Sequence, residues 1–192
     1  MSHYIYIVLT RTNTMFSRLI QFAKNDDYTH AAISFDKTLD QMYSFGRKNV
    51  RNPFIGRFNQ ESLDKGVYKL HKVLPGAIVE FEVSKAQYEC ARKLINHFVE
   101  NSEIYKYNYI GLIKSVFNMS GCYDHRFLCS EFTYHILKES GVVDLKISRN
   151  LVRPQNLYEL HGRLIYQGDL KVYEGRSQQM KGFERMNVIY EG

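Results

Sequence analysis

Cys129 is the residue whose type and position best suit nucleophilic chemistry. It follows the apolar pair Phe127-Leu128 and opens the segment CSEFTYHILK, which has the pattern of a helix. A thiol at a helix N-terminus faces unpaired backbone N–H groups and the positive end of the helix dipole, and both stabilise the thiolate. The same N–H groups can donate to the oxyanion of a tetrahedral intermediate. We therefore predict that Cys129 is a nucleophile; a buried, inert thiol is the alternative.

A cysteine nucleophile needs a base, usually a histidine that another polar group holds in place. Of the seven histidines, His30 stands at the most suitable position, because it opens the strand-like HAAISF directly after the polar NDDYT. His125 is near Cys129 in sequence but belongs to no recognisable element. His135 falls on the far side of the predicted helix. A strand-terminal histidine bonded to the backbone is the alternative for His30.

A metal site is the weaker interpretation of the same region. Cys122, His125, Cys129 and His135 form a C-x2-H-x3-C-x5-H pattern of ligands that zinc accepts. If Cys129 and His135 share a helix, however, they cannot reach one ion, and the spacing fits no familiar zinc motif. No nucleotide-binding or metalloprotease motif occurs either. We expect chemistry without a metal or an organic cofactor, and a structural zinc stays as an alternative.

Short runs of β-branched and aromatic residues predict the strands that could position His30 and Cys129. YIYIVLT predicts a buried first strand, and HAAISFD with QMYSFGR predicts a hairpin around a four-residue turn. VYKLHKV and GAIVEFEV, divided by Pro75-Gly76, predict two more strands. RLIYQGDLKVYE predicts a terminal strand or hairpin. The residues between Arg47 and Arg57 are interpreted as a loop, which Asn52-Pro53 interrupts.

Helices are predicted where apolar residues recur at helical spacing. The first predicted helix covers residues 16–23 with Asn13 or Thr14 as cap, and the second covers 85–100 with a Ser84/Gln87 capping box. The third covers 108–117, where Ile110, Ile113 and Phe117 recur at helical spacing. The fourth covers 129–138 and is ended by Gly141, and Pro154 opens a short fifth helix. Together with the strands they predict an α+β fold, a small antiparallel sheet packed against helices.

The composition is that of a globular protein. Of 192 residues, 44% are hydrophobic and 24% are charged, and no apolar run reaches the roughly 20 residues that cross a bilayer. The first apolar run is short and has no Lys or Arg before it, unlike a signal peptide. The three cysteines make an odd set, which does not suit a disulfide framework. We expect one domain over residues 1–192, in the cytoplasm.

Basic residues outnumber acidic ones, 26 to 20, which gives a net charge of +6. Part of the excess is local, because Arg47, Lys48, Arg51 and Arg57 follow one another without an intervening acid. Such a run is either a solvated loop or a rim that attracts an anionic ligand or membrane headgroups. Arg47 is therefore a candidate substrate-binding residue. No recognition motif for nucleic acid accompanies the charge, so we expect no nucleic-acid partner.

The segments around His30 and Cys129 resemble the circularly permuted NlpC/P60 papain-like cysteine hydrolases, in particular the YiiX/YaeF-like group. The resemblance rests on THAAISFD followed by QMYSFG, on the much later FLCSEFTYHIL, on YKYNYIGLI, and on Pro154 with LIYQGDL, and it covers residues 4–174. In that family the histidine precedes the cysteine in sequence. The histidine opens a strand of a small antiparallel sheet, and the cysteine starts a packed helix. The resemblance implies a permuted papain-like fold and a catalytic pair of Cys129 and His30.

The resemblance also implies a third catalytic group, and here this sequence departs from the family. Members often carry an acidic or amide residue in the strand after the histidine strand, where this chain has Ser44. A hydroxyl accepts from an imidazole N–H more weakly than a carboxylate does. The neighbouring Gln41 would lie on the opposite face of the sheet. An ordinary polar strand residue is the alternative for Ser44.

Three further residues are substrate-binding candidates. The resemblance makes Tyr107 or Tyr109 a pocket-lining residue, although packing in the core explains both as well. Glu131 follows the cysteine by two positions. Its carboxylate either suits the dipole of the first helical turn or contacts a substrate amine.

Two functions are therefore expected, from different classes. The first is a thiol hydrolase or acyltransferase that acts on a peptide-like or acylated substrate. The second is a weakly active or inactive binding module on the same fold, which would recognise an anionic small molecule, a peptide or a membrane surface. The departure at Ser44 and the basic run motivate the second.

Overall fold

Eight strands form one sheet in the protein, whose computed structural model describes residues 2–12, 26–47 and 56–176, with Arg47 and Arg176 as backbone only. The strands are β1 (His3–Thr10), β2 (His30–Ser34), β3 (Met42–Arg47), β4 (Gly56–Glu61), β5 (Pro75–Val83), β6 (Lys106–Tyr107), β7 (Arg126–Phe127) and β8 (Arg163–Asp169). Their order across the sheet is β7-β6-β4-β3-β2-β1-β5-β8. Every neighbouring pair is antiparallel except β6 and β7, which run parallel.

The middle of the sheet is buried on both faces. Ile5, Ile7 and Leu9 of β1 belong to the core cluster on the helical side, whereas Tyr6 and Val8 belong to a second cluster on the opposite side. This two-sided burial explains why the first strand is a continuous apolar run instead of an alternating one.

Four helices lie among the described residues: α1 (Lys85–Glu100), α2 (Tyr109–Val116), α3 (Cys129–Glu139) and α4 (Pro154–Tyr158). The capping box of α1 is confirmed, since the Ser84 hydroxyl accepts from Gln87 N at 3.2 Å and the Gln87 side chain accepts from Ser84 N at 2.9 Å. Gly141 follows α3 with a φ of +72°, a conformation that glycine adopts without strain. The α+β class with a mostly antiparallel sheet is confirmed. None of the helices in the described ranges is long and apolar enough to cross a membrane.

Two predicted features of the sheet are wrong. VYKLHKV is not a strand: Tyr68–Leu70 form a 3-10 turn, and bends lead on to β5. The alternating apolar residues of this segment do not form one buried face, because Leu70 and Val73 are exposed. Conversely, no strand is predicted over Gly56–Glu61, because the loop between Arg47 and Arg57 was expected to continue. These residues form β4, which pairs along its whole length with β3. Its sequence, GRFNQE, has one large apolar residue and therefore gives almost no hydrophobic pattern.

Several predicted features lie outside the described residues. These are the helix over 16–23, its caps Asn13 and Thr14, and the basic residues Lys48 and Arg51.

An aromatic cluster joins the sheet to the helices. Phe45 of β3 is fully buried, and its ring centroid lies 5.3 to 6.1 Å from those of Phe58, Phe98, Phe127 and Phe132. These rings come from β4, α1, β7 and α3. The cluster therefore fixes where the N-terminal half of α3 lies on the sheet.

Replacement of this central ring tests the cluster directly. We expect Phe45→Ala to lower the free energy of unfolding by about 3–5 kcal/mol, because a fully buried ring is lost. Phe117→Ala is the matched control, since that ring is 70% exposed and its loss should change stability by no more than about 0.5 kcal/mol. Urea denaturation of both variants measures the difference. Equal destabilisation of the two would contradict the assigned core.

Candidate active site

Cys129 is the first residue of α3, and its thiol is almost fully buried. The His30 ring and the backbone N–H groups of Ala31 and Ser130 lie beside the sulfur and stabilise its negative charge. The start of the helix therefore supplies N–H donors to the sulfur, as the sequence predicted. The structure also adds a donor from β2 that the sequence did not indicate.

His30 is the first residue of β2, and a carboxylate holds its far ring nitrogen. The Nε2 atom lies 3.0 Å from Oε2 and 3.2 Å from Oε1 of Glu61, the last residue of β4. The Tyr68 hydroxyl donates to the same Oε2 at 2.9 Å. Since Nε2 is engaged by Glu61, Nδ1 is the nitrogen left for the Cys129 sulfur. His30, Glu61 and Tyr68 thus form a hydrogen-bonded chain, and its imidazole end faces Cys129.

The charges in this chain favour a thiolate next to an imidazolium. Burial alone would lower the pKa of His30, but the Glu61 carboxylate and the Cys129 sulfur outweigh it and hold that pKa well above its ordinary value. Burial alone would raise the pKa of Cys129, but the His30 cation and the two backbone N–H groups outweigh it and lower that pKa. Burial and the Glu61 charge raise the pKa of Tyr68, so its hydroxyl stays protonated and donates.

The group that holds His30 is therefore Glu61, and the expectation for Ser44 is wrong. The Ser44 hydroxyl is buried and donates to the carbonyl of Ala31 at 2.6 Å. Ala31 thus has its N–H beside the Cys129 sulfur, and its carbonyl accepts from the Ser44 hydroxyl. Ser44 fastens the strand segment next to His30 and makes a structural contact.

Gly46 leaves the space that the carboxylate occupies. A Cβ at this position would lie 2.8 Å from Glu61 Oε1 and 3.5 Å from His30 Cε1. Any side chain here would push Glu61, which His30 and Tyr68 otherwise hold in place. The glycine at position 46 of β3 therefore allows Glu61 to reach His30.

Glu131 is not a substrate ligand, contrary to one expectation, because it is fully buried and bonded within the protein. Its carboxylate accepts from Leu128 N at 3.1 Å, from Asn108 Nδ2 at 3.1 Å and from Arg149 Nε at 2.9 Å. Burial raises its pKa, and these donors oppose the rise. Asn108 in turn accepts from Gly111 N at 2.8 Å and caps α2. Glu131 therefore joins the starts of α2 and α3.

A pocket opens next to Cys129, between α2 and α3. Its walls are mostly apolar, with hydroxyls and one cation among them: Thr29, Tyr107, Leu112, Ser115, Val116, Leu128, Ser130, Val152, Arg153 and Pro154. Tyr107 lies in the wall as expected, and its ring fits against Gly56, where a Cβ would come within 2.7 Å. Tyr109 packs against Tyr107 with 4.8 Å between ring centroids and the ring planes tilted by 45°. The side chain of Arg47 lies outside the described residues.

The other predicted metal ligands are dispersed. Cys122 is exposed and contacts the Ser148 hydroxyl, and His135 packs against Phe127 at 5.3 Å. Burial and the Arg149 cation lower the pKa of His135 to about 4. Within residues 2–12, 26–47 and 56–176, no group of three or more His, Cys, Asp or Glu side chains is arranged to hold a metal ion.

Comparison with known proteins assigns this chain to no family. No family model, no curated protein and no solved structure matches this chain. The site therefore has to be interpreted from its own geometry.

Sequence reasoning missed Glu61 because it missed the strand that carries it. The only available signal was the alternation around Phe58, in which Arg57, Asn59 and Glu61 share one face. The observed register places that face beside Met42, Ser44 and Gly46 of β3.

Replacement of the carboxylate by an amide tests the electrostatic role of Glu61. In Glu61→Gln the His30 cation loses its negative partner, so the pKa of His30 falls and that of Cys129 rises. We expect alkylation of Cys129 by iodoacetamide near neutral pH to slow by about tenfold or more, with the pH profile shifted upward. Mass spectrometry of the labelled peptides measures it. Glu82→Gln, at an exposed position of β5, is the control; equal profiles in the two variants would refute the role.

Gly46→Ala tests the spatial constraint. The added methyl group should displace the Glu61 carboxylate and shift the same alkylation profile to higher pH. The control is Gly66→Ala, which meets no atom within 4 Å but strains a φ of +58°. It should lower the free energy of unfolding by about 1 kcal/mol and leave the profile unchanged. A wild-type profile in Gly46→Ala would show that the glycine does not position Glu61.

Proposed function

We propose that this protein is a cysteine hydrolase or acyltransferase, with Cys129 as nucleophile, His30 as base and acid, and Glu61 as the group that orients His30. The observation that carries the proposal is the alignment of the Cys129 thiol, the His30 imidazole and the Glu61 carboxylate beside a pocket. A nucleophile, a base and an orienting group in this order form the arrangement of thiol hydrolases.

The first half of the reaction follows from the positions of these groups. The Cys129 thiolate attacks the carbonyl carbon of an ester or amide, and a carbon–sulfur bond forms. The negative charge moves to the carbonyl oxygen, where the backbone N–H of Cys129, at the first position of α3, can donate to it. The carbon–oxygen or carbon–nitrogen bond then breaks. His30 gives its proton to the leaving alcohol or amine, and a thioester stays on Cys129.

The second half returns the enzyme to its starting state. His30, now neutral, takes a proton from water, and the hydroxide attacks the thioester carbon. The carbon–sulfur bond breaks, the acid leaves, and the thiolate and imidazolium are restored. An alcohol or amine in place of water gives acyl transfer. Throughout, Glu61 keeps the ring in one orientation and stabilises its cation.

The order of the site residues supports a permuted papain-like fold. His30 opens a strand of the sheet, and Cys129, later in sequence, opens a helix packed on that sheet. The same order is the basis of the resemblance to the permuted NlpC/P60 hydrolases. The three free thiols support a reducing compartment such as the cytoplasm.

The pocket supports a substrate with an apolar part, either acylated or peptide-like. Leu112, Val116, Leu128 and Val152 give it apolar walls. Arg153, the one cation among the described residues of the wall, is paired with the buried Asp26, which limits its attraction for a substrate anion. The alternative of an inactive binding module rested partly on the weak partner expected at Ser44. Glu61 gives His30 the carboxylate partner that Ser44 could not provide.

Covalent trapping tests the proposal. We expect wild-type protein incubated with a series of p-nitrophenyl esters to form an acyl adduct on Cys129, visible by intact and peptide mass spectrometry. Cys129→Ala should form none, and His30→Ala should acylate at least about a hundredfold more slowly. Cys122→Ala is the matched control, because it removes an exposed thiol and should react as wild type does. Adducts spread equally over the three cysteines would contradict the proposal.

A further inference from the structure

The outer face of α2 is apolar and exposed. Ile110, Ile113, Phe117 and Met119, here called the α2 stripe, are 51% to 70% exposed. The first three recur at helical spacing and predicted this helix from sequence, yet they point away from the core. The buried contact of α2 is made by Gly111 and Leu112 on the opposite side. Four large apolar side chains exposed within ten residues mark an interaction surface.

Cations lie next to the α2 stripe in sequence. Lys106 and Lys114 fall between Ile104 and Tyr123, and the acids Glu103 and Asp124 stand just outside that range. Lys106 of β6 lies directly beside Arg126 of β7 in the parallel register, and both side chains are exposed. Neighbouring like charges on adjacent strands destabilise a sheet unless an anion compensates them. The adjacent cations Lys106 and Arg126 therefore fit a negatively charged partner.

We propose that the α2 stripe docks on the surface of an anionic lipid bilayer. A bilayer is the occupant that fits both observations, because apolar side chains enter the acyl boundary while flanking cations contact the headgroups. Tyrosines are common at this depth of a membrane, and the partly exposed Tyr109 and Tyr123 stand close to the stripe in sequence. The proposal does not depend on the chemistry of Cys129.

The docking would place the pocket close to the lipid. Leu112, Ser115 and Val116, on the inner side of α2, line the pocket that contains Cys129. A helix with its side chains is about 10–12 Å across. The candidate nucleophile therefore lies about one helix diameter beneath the proposed membrane surface.

Vesicle flotation tests the docking with the whole chain. The vesicles contain either phosphatidylcholine alone or equal parts of phosphatidylcholine and phosphatidylglycerol. Wild type and Cys129→Ala should both float with the anionic vesicles, and added salt should weaken the binding. Ile113→Ser/Phe117→Ser should bind about tenfold or more weakly. Leu70→Ser/Val73→Ser is the matched control, because it removes two apolar residues that are 64% and 59% exposed elsewhere.

Each outcome decides the proposal separately from the proposed enzyme. Loss of flotation in the stripe variant alone, with ester acylation of Cys129 unchanged, supports it. If wild type does not float with anionic vesicles, or if the stripe variant floats equally well, the proposal is refuted whether or not Cys129 is acylated. If sedimentation shows a dimer that only the stripe variant loses, the stripe covers a second copy of the chain and the bilayer proposal is refuted.

Discussion

The hydrogen bond between the Glu61 carboxylate and the His30 ring is the interaction on which the rest of the site depends. Burial by itself would neutralise both His30 and Cys129, because a low-dielectric surrounding disfavours a charged group of either sign. The carboxylate reverses this preference for His30, and the resulting cation reverses it for the thiol. The carboxylate is in place because β4 pairs with β3, because Gly46 leaves room for it, and because Tyr68 donates to it.

The position of Cys129 depends on a second carboxylate, which is buried and has a structural role. Glu131 is fully buried and pairs with Arg149, whose guanidinium lies 4.4 Å from the centre of the Phe127 ring. A buried ion pair adds little net stability, because each charge loses its hydration. Here the carboxylate also bonds the N–H of Leu128 and the amide of Asn108, so it fixes the start of α3 relative to α2. The pair defines geometry next to the thiol.

The helix α2 has two faces with different roles. Its inner side, with Leu112 and Val116, forms a wall of the pocket, and its outer side carries the exposed apolar stripe. A periodic apolar pattern in the sequence predicts a helix with one apolar side, but it does not say which side meets the core. In this helix the polar cap Asn108 and the close contact at Gly111 select the buried side.

The sequence by itself determined the elements whose signals are local. The apolar run of β1, the capping box of α1, the glycine after α3 and the proline of α4 depend on neighbouring residues, and these elements were predicted. Cys129 and His30 could be selected in the same way, since a helix start and a strand start are both visible in sequence. The family resemblance, and not the local pattern, implied a pocket-lining tyrosine, and Tyr107 lies in the pocket wall.

Only the tertiary structure decided the partner of His30. Glu61 is 31 positions away and ends a strand that has one large apolar residue, so no periodic pattern identifies the strand or its register. The family resemblance predicted Ser44 as the partner of His30, because Ser44 lies in the strand after the histidine strand. In the folded protein its hydroxyl donates to the Ala31 carbonyl instead. The burial of Glu131 was equally invisible, because an acid in a first helical turn suits the dipole whether or not the turn is exposed. Local patterns specify elements, whereas the contacts between distant elements depend on how those elements pack.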